Sequence, residues 1–316
     1  MDNHFDVIVI GAGAAGLTAG IYLSRAKMKT LILNEGTVGG QMILTHEIAN
    51  YPGVENISGY ELARNMKIQA QKFGSVIKSN IKITSLSLAG EIKRVTVNNK
   101  DEYTSQAVII ATGGKSRAIG APGEEEFKGK GISYCATCDG DFFQDKEIIV
   151  VGGGNSALEE AVSLTKYASK VTIVHQFDHF QALEHYVEEA KNNSKISFIM
   201  ESKIIQFGGE ERLSSVKIQN QRTNEITDMN IDGVFIFIGY VPNTERLENI
   251  VGLNQWKEII VDANMATNLP GVFAAGDSIA KRYRQVTTAV ADGTIAALSA
   301  SEYVNNSKKE QLAVLQ

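Results

Sequence analysis

Short apolar runs along this chain are followed by glycines and then by small residues with helical spacing. This combination occurs twice, as FDVIVIGAGAAG at residues 5–16 and EIIVVGGGNSA at residues 147–157. A second apolar run follows in each case, KTLILNE at 29–35 and KVTIVHQ at 170–176. Continuous apolar runs of this length are typical of parallel strands that are buried on both faces. The pattern therefore predicts two nucleotide-binding-type βαβ units in a doubly wound α/β fold.

Further apolar runs end at glycine, and the C-terminal stretch VTTAVADGTIAALSASEYV has the apolar spacing of a helix. The runs are QAVIIATGG (106–114), GVFIFIGYVPN (233–243) and PGVFAAGDS (270–278). We infer an α/β architecture of two Rossmann-like nucleotide-binding-type domains, one discontinuous and one inserted into it. The predicted bounds are 1–115 with 243–316 for the discontinuous domain and 116–242 for the inserted one. The two connections, near Pro122 and Pro242, are expected to form a two-strand hinge.

Composition narrows the function classes. The chain has 316 residues, of which 43% are hydrophobic and 21% charged, as in an ordinary globular protein of about two domains. Its net charge is -5 and it has no basic block, which argues against a nucleic-acid partner. No apolar run approaches the roughly 18–20 residues of a membrane span, and the N-terminus lacks the features of an export signal. Two cysteines alone do not indicate a disulfide-stapled protein, so the predicted compartment is the cytoplasm.

The first glycine motif has the residue order of a dinucleotide site. Gly11 permits the tight turn after the strand, Gly13 lets the backbone approach a pyrophosphate, and Gly16 lets the helix pack on the strand. Free N–H groups and the helix dipole at such a turn bind phosphate. Glu35 ends the second apolar run, where it suits a hydrogen bond to a ribose hydroxyl. The alternative interpretation is a tight turn without a ligand.

A late acidic residue points to the kind of dinucleotide. Gly276-Asp277 ends an apolar run near the C-terminus, and an acid in that place can bond the ribityl or pyrophosphate region of a flavin. The pair therefore favours FAD over NAD. An aspartate that caps the next helix is the other interpretation, and the two roles are compatible.

The two cysteines form a CxxC motif, Cys135-Ala136-Thr137-Cys138, followed directly by Asp139. This spacing allows a disulfide and lowers a thiol pKa, so it predicts disulfide–dithiol chemistry. Two cysteines are too few for a four-ligand zinc site, although His175 and His179 in the same predicted domain leave a Cys₂His₂ site as an alternative. Asp139 is placed to manage the thiol proton, or else to cap a helix.

These motifs, with several others, resemble those of the low-molecular-weight thioredoxin reductase family over nearly the whole chain. They are GAGAAGLTAGIYLSRA, GGQ at 39–41, ANYPG at 49–53, YCATCDG at 134–140, GGGNSALEEA at 152–161 and GD…YRQ at 276–285. The resemblance implies a homodimer with one FAD per chain. It also implies thiol–disulfide exchange with a thioredoxin-like partner.

The resemblance also assigns roles to individual residues. It implies that flavin hydroquinone reduces the disulfide Cys135–Cys138 and that the Cys135 thiolate then attacks the partner's disulfide. Cys138 is the sulfur expected to face the flavin, and Asp139 is the expected proton donor; no metal site is expected. The positions that match the family's FAD-binding residues are Gly11, Gly13, Ala14, Glu35, Gly40, Gln41, Asn50, Asp277, Arg284, Gln285 and Val286.

The second nucleotide unit departs from the family's NADPH enzymes. Those enzymes carry a His-Arg-Arg-x-x-x-Arg pattern whose arginines hold the 2′-phosphate, whereas this chain reads HQFDHFQ at 175–181. The three arginine positions hold Gln176, Phe177 and Gln181. Gln176 also stands where an acid would bind the ribose of NADH, so the motif suits neither dinucleotide. Gly152, Gly154 and Ala157 remain, and they are interpreted as preserving strand–helix packing; weak binding of a dinucleotide is the alternative.

This departure resembles the ferredoxin-dependent flavin thioredoxin reductases, which keep FAD and the CxxC motif but lack the NADPH arginines. The resemblance implies that reduced ferredoxin delivers two electrons in sequence, and Lys281, Arg282 and Arg284 are a candidate cationic face for it. One alternative is an NAD(P)H-dependent thioredoxin reductase with an atypical nucleotide site. The other is a flavin-bound sensor whose CxxC motif reports thiol state without turnover.

Overall fold

The computed structural model describes residues 3–45 and 47–314, with side chains as far as Glu310. The chain forms two compact units. The first unit contains the residues up to Lys115 together with those from Val241 onward, and the second contains Ser116–Tyr240.

The helices and strands follow in chain order. The N-terminal part of the first unit contains β1 (His4–Ile10), α1 (Ala14–Arg25), β2 (Thr30–Asn34), α2 (Gly59–Phe73), β3 (Val76–Ser79), β4 (Ile83–Ser87), β5 (Lys93–Val97), β6 (Asp101–Ile110) and, at its end, β7 (Gly114–Ser116). The second unit contains α3 (Glu124–Phe127), β8 (Ile132–Ser133), α4 (Ala136–Asp139), β9 (Glu147–Val151), α5 (Asn155–Leu164), β10 (Lys170–Val174), α6 (Glu184–Lys191), β11 (Ile196–Ile199), β12 (Ser202–Gly209), β13 (Leu213–Asn220), β14 (Ile226–Asn230) and β15 (Gly233–Ile236). The remaining elements are β16 (Tyr240–Pro242), β17 (Val272–Ala274) and α7 (Val286–Val314).

The first unit is built on a seven-stranded sheet with the order β3-β2-β1-β6-β5-β4 and with β17 beside the C-terminal half of β6. The strands β3, β2, β1, β6 and β17 are parallel, whereas β5 and β4 run antiparallel to their neighbours. Its central strands are apolar throughout because helices cover the parallel part of the sheet. Ile8 of β1, for example, is fully buried between Leu31 and Val108 in the register of the neighbouring strands. Helices α1 and α7 approach so closely that a Cβ on Gly293 would lie 2.3 Å from the Ala15 carbonyl oxygen.

The second unit repeats this plan. Its parallel sheet has the order β11-β10-β9-β15-β8. Ile148 and Val150 of β9 pack against the helices on one face, while Ile149 and Val151 pack with the apolar side chains of β12 and β13. The predicted α/β fold with two Rossmann-like units is confirmed, since both sheets have the strand order of a nucleotide-binding half.

Two features of the fold differ from the sequence pattern. The run GVFIFIGYVPN reads as one strand, but it divides into β15 and β16, because Gly239 turns the backbone at φ 115°. An antiparallel sheet, β12-β13-β14, also lies between β11 and β15 in the chain, and its half-exposed, mixed sequence has no clear strand pattern. The connecting strands β7 and β16 pair with each other; the hinge at these connections stays a prediction.

Across residues 3–45 and 47–314, no helix combines the length and the apolar character that crossing a bilayer requires.

Candidate functional site

The turn between β1 and α1 has an open cradle at its centre. Gly11 has φ 109°, and a Cβ there would lie 2.1 Å from the Ala111 carbonyl oxygen, so only glycine fits. A Cβ on Gly13 would meet nothing closer than the Gly40 Cα at 4.0 Å. Helix α1 begins at Ala14, and no side chain caps its first turn. The N–H groups of this turn therefore lie at a surface that a phosphate can approach.

Neighbouring segments support this turn. The Gly39 N–H donates to the Ala12 carbonyl oxygen at 2.8 Å, which holds Gly40 against Gly13. Gln41 follows in an exposed single turn. The Ala12 N–H donates to Asn34 Oδ1 at 2.9 Å, a support from the end of β2 that the sequence motif does not reveal.

Glu35 follows β2, as the motif predicts, and it is exposed. Its Oε1 accepts a hydrogen bond from the Ile83 N–H at 2.9 Å and another from the Arg246 guanidinium at 2.6 Å. Arg246 comes from the C-terminal part of the chain, so local sequence could not identify this contact. Both bonds fix the carboxylate at the edge of the cradle.

Asp277 lies in the short turn that follows β17, next to the start of α7. Burial raises the pKa of this carboxyl, against the lowering effect of the Lys281 and Arg284 charges. Its Oδ1 is buried and has no hydrogen-bond partner within the described residues, although the Lys281 ammonium lies 3.5 Å away. A buried oxygen of this kind fits a hydroxyl donor from a ligand, such as the ribityl chain of FAD.

The cations near Asp277 are held by internal carboxylates. The Lys281 ammonium lies 2.6 Å from Asp292 Oδ2, which also accepts the Gly276 N–H at 3.2 Å. The Arg284 guanidinium donates to Glu258. Lys281 and Arg284, two of the three members of the predicted cationic face, thus have their charges paired within the chain, and the role of this face stays a prediction.

The remaining predicted cofactor residues also lie in the first unit. Asn50 donates to Gln285 Oε1 at 3.4 Å, which joins two sequence motifs that are 235 residues apart. Val286 is the first residue of α7, directly after Gln285. The residues present thus fit FAD: an open glycine cradle, an acid at its edge and an unsatisfied buried aspartate oxygen.

The cysteine pair lies in the second unit. Cys135 and Cys138 form a disulfide with their Cα atoms 5.3 Å apart. Cys135 is the N-cap residue of α4, and its Sγ accepts the Cys138 N–H at 3.2 Å. The zinc alternative finds no support, since both sulfurs are in the disulfide and the described residues contain no cluster of three or more potential metal ligands.

Asp139 is the last residue of α4, so it does not cap that helix, and its side chain makes no capping bond to the turn that follows. Its Oδ2 instead lies 2.5 Å from the Ser133 hydroxyl. Burial raises the pKa of the Asp139 carboxyl; the Ser133 hydrogen bond lowers it and the Asp141 charge raises it. The carboxyl thus keeps its proton to a higher pH than a free aspartate does.

Two further contacts flank the cysteines, and the sequence motifs assign no role to either hydroxyl. The first is the Ser133 hydroxyl, which bonds Asp139. The second is the Tyr134 hydroxyl, which donates to Glu124 at 2.6 Å. Glu124 is buried, and its carboxylate also accepts the N–H groups of Ile119 and Gly120. Ser133 and Tyr134 directly precede Cys135, and that adjacency is the only sequence signal that could have identified them.

The second glycine turn contacts the loop after β10 at Gly153, whereas a Cβ on Gly154 would meet no atom within 4 Å. The Gln181 N–H donates to the Gly153 carbonyl oxygen at 2.8 Å. A Cβ on Gly153 would lie 2.3 Å from the His175 ring, which is buried and stacks on Phe180 at a centroid distance of 5.7 Å. Burial lowers the pKa of His175, which keeps its ring neutral. The segment 175–181 contains no lysine or arginine for a phosphate.

Comparison with known proteins identifies relatives over nearly the full length. The family model described as pyridine nucleotide-disulphide oxidoreductase matches residues 5–293. The chain is 46% identical to a thioredoxin reductase of Peptoclostridium acidaminophilum, over 98% of this chain and 100% of that one. It is 44% identical to a 34.2 kDa protein in the rubredoxin operon of Clostridium pasteurianum, over 96% and 98%. Among solved structures, the thioredoxin reductase from Streptococcus pyogenes superposes with a TM-score of 0.93 at 40% identity, over 97% of this chain and 100% of that one.

Proposed function

This chain belongs to the pyridine nucleotide-disulphide oxidoreductase family, in its low-molecular-weight thioredoxin reductase branch, and from that premise we propose that it reduces thioredoxin with electrons from reduced ferredoxin. Members of this family are FAD flavoproteins. Bound FAD exchanges electrons singly or in pairs, which lets a one-electron carrier drive the two-electron reduction of a disulfide. The cofactor would be held by the cradle of Gly11 and Gly13, the edge acid Glu35 and the buried carboxyl of Asp277.

The cysteine pair performs the exchange with the partner. Opening the Cys135–Cys138 disulfide consumes two electrons and two protons. Cys135 attacks the partner's disulfide as a thiolate, and Cys138 then displaces the partner by closing the enzyme disulfide again. The Cys138 N–H that points at Cys135 Sγ favours the thiolate at Cys135. Asp139 carries the proton that a cysteine gains or loses.

The absence of arginine and lysine from the loop 175–181 carries the donor proposal. A hydrogen bond to a charged group is worth roughly 1.5–3 kcal/mol. Losing even two arginine contacts therefore weakens NADPH binding by on the order of 10²–10⁴-fold. Gln176, Phe177 and Gln181 are all exposed and uncharged. The acid of this loop, Asp178, is engaged within the loop, since its Oδ1 lies 2.6 Å from His179 Nδ1.

The donor test is anaerobic stopped-flow mixing of the oxidised holoenzyme with reduced ferredoxin, NADPH or NADH. We expect flavin absorbance to bleach rapidly with ferredoxin and slowly with either nicotinamide. The Cys138→Ser variant is the control: its flavin should still accept electrons, while thioredoxin reduction is abolished. Fast bleaching by millimolar or lower NADPH would contradict the donor proposal, and normal thioredoxin reduction by Cys138→Ser would contradict the assignment of the cysteines.

Two other functions predict different results in the same experiment. An NAD(P)H-dependent enzyme with an atypical site bleaches with a nicotinamide donor. A redox sensor changes its thiol state but shows no sustained thioredoxin reduction with any donor. We also propose, from the family resemblance and the cysteine usage, a homodimer in the cytoplasm with the FAD site in the discontinuous domain and the CxxC motif in the inserted one.

A further inference from the structure

Ser133 lies two residues before the first cysteine, at the end of β8, and its side chain is buried. Its hydroxyl oxygen accepts the Cys135 N–H at 3.1 Å. The hydroxyl hydrogen has two acceptors in reach, Asp139 Oδ2 at 2.5 Å and the Cys135 carbonyl oxygen at 3.3 Å. The Asp139 oxygen is the closer acceptor, and it is the stronger one when Asp139 is ionised, so it receives the hydrogen. One hydroxyl thus links the backbone of the first cysteine to the acid beside the second.

The neighbouring hydroxyl provides a contrast. The Tyr134 hydroxyl bonds Glu124, not Asp139, although Tyr134 is even closer to Cys135 in the chain. Burial disfavours the ionised Asp139, and the Ser133 hydrogen bond is the contact that counters this effect. The acid would otherwise stay protonated over a wider pH range and could not accept a proton there.

We propose that Ser133 is a positioning residue for the disulfide chemistry, which fixes the Asp139 carboxyl relative to Cys135 and favours its ionised form. This inference rests on the proposed proton-carrying role of Asp139. It does not depend on the identity of the electron donor or of the protein partner.

The step that Ser133 affects is the oxidation of the enzyme dithiol by an external disulfide. The Cys135 thiolate attacks one external sulfur, which breaks the external bond and releases one thiolate. Cys138 gives its proton to ionised Asp139 and attacks the Cys135 sulfur, which releases the second thiolate. The enzyme loses two electrons and the external disulfide gains them. The step requires Asp139 in its ionised form, so its rate falls on the acid side of the pH profile.

The test uses the FAD-loaded enzyme, reduced with dithiothreitol, freed of reductant and mixed anaerobically with an aromatic disulfide such as dithiobis(nitrobenzoate). The oxidation rate is measured against pH for the wild type, Ser133→Ala and Ser133→Thr. We expect Ser133→Ala to move the acid limb to higher pH, on the order of one unit, because a donor to the charged form is lost. Ser133→Thr keeps the hydroxyl and should retain the wild-type profile. Tyr134→Phe, which removes the adjacent hydroxyl, is the matched control and should not move the limb.

A Ser133→Ala profile that overlays the wild type, or that is lowered equally at every pH, would overturn the proposal, because a purely structural residue changes the rate without moving the limb. Asp139→Asn separates this failure from that of the underlying role: an unchanged acid limb in that variant would show that Asp139 does not carry the proton. Flavin absorbance and the thermal transition check the fold of each variant. If Ser133→Ala does not retain both, Ser133→Gly replaces it with the same expected shift.

Discussion

Cys135 and Cys138 occupy unequal backbone positions, which gives the two sulfurs different roles. Cys135 caps α4 and receives an N–H at its sulfur, whereas Cys138 lies inside that short helix. An N–H donor stabilises the charged thiolate more than the neutral thiol. The first cysteine is thus the better nucleophile toward an external disulfide, and the second depends on a base. Asp139 is the adjacent candidate for that base.

Asp139→Asn should separate catalysis from stability. Asparagine can still accept the Ser133 hydrogen bond but cannot carry a proton, so we expect thioredoxin reduction to fall by about 10²–10⁴-fold. Burial raises the pKa of Asp139 in the folded state above its value in the unfolded state. The ionised carboxyl therefore destabilises the fold at pH values above the folded pKa. Below the unfolded pKa the carboxyl is protonated in both states, and this destabilisation is absent. The variant should therefore unfold at an equal or higher temperature than the wild type at neutral pH. Steady-state kinetics and thermal melts at pH 7 check both parts, and equal activity would refute the role of Asp139.

The loop between β10 and α6 shows how one element sets donor selectivity. Its backbone is fixed on two sides, since the Gln176 carbonyl accepts a bond from the Gln221 amide at 2.8 Å and the Phe177 carbonyl accepts the Glu201 N–H at 3.0 Å. The side chains of Gln176 and Phe177 remain exposed. The loop therefore presents side chains from a firm backbone, and changing those side chains should change the ligand without refolding the loop.

Grafting charge onto this loop is the corresponding prediction. Gln176→Arg with Phe177→Arg should raise the affinity for NADPH by on the order of 10²-fold or more, through two charge-assisted bonds to the 2′-phosphate. NADH affinity should change little, because NADH lacks that phosphate. A variant with the same added charge on exposed positions of α2, Gln69→Arg with Gln71→Arg, is the matched control. Fluorescence titration of NADPH and NADH measures the affinities of both variants. If the loop variant gains no affinity for NADPH, the pocket itself is closed.

The segment before α7 is held by an ion pair that the sequence motif does not contain. Asp292 lies within α7, where it pairs with Lys281 and accepts the Gly276 N–H. This pair is largely shielded from solvent, with 13% of each side chain exposed, so it fixes the backbone on which Asp277 stands. Buried charge pairs of this kind are costly to break from one side.

Asp292→Asn should weaken FAD retention. It leaves the Lys281 charge half-satisfied and loosens the Gly276–Asp277 turn, so we expect roughly a 10-fold or greater rise in the FAD dissociation constant, the effect of losing about one charge-assisted hydrogen bond. Arg282→Gln, an exposed change one residue after Lys281, is the control and should retain the wild-type affinity. Flavin fluorescence on release from the protein measures the dissociation. Equal affinities in the two variants would show that the ion pair does not support the cofactor turn.

At the scale of the whole chain, the sequence predicted those parts of the fold that depend on local pattern. Buried parallel strands and glycine turns have strong signatures, so both βαβ units and the long C-terminal helix could be predicted. The antiparallel sheet β12-β13-β14 could not, because only one face of its strands is buried and its polar positions blur the alternation. Contacts that join distant segments, such as Arg246 with Glu35, have no local signature at all.

The candidate site follows the same division. The glycines, the two cysteines and Asp277 could be identified from the sequence, because these residue types occur at the spacing of known motifs. The partners that tune them, Ser133 for Asp139 and Asp292 for Lys281, depend on side-chain placement that folding alone creates. The same holds for the predicted cationic face near Asp277: the sequence shows which charges are present but not which carboxylates pair with them.

The two units resemble each other enough that cofactor placement is itself testable on the whole protein. Each has a glycine turn after a central strand with an open middle position, Gly13 in the first unit and Gly154 in the second. Only the first unit also has, among the described residues, a buried carboxylate oxygen without a hydrogen-bond partner, that of Asp277. Hydrogen exchange of the apoprotein with and without FAD shows which of the two glycine turns binds the cofactor. A ligand that binds only the folded state stabilises it by about 2.7 kcal/mol when its concentration is a hundred times the dissociation constant. We expect protection to rise at residues 11–17, 34–41 and 276–289 and to stay unchanged at residues 152–158. Gly13→Val, which fills the cradle, should abolish the effect, and protection that appears at residues 152–158 instead would move the cofactor to the second turn.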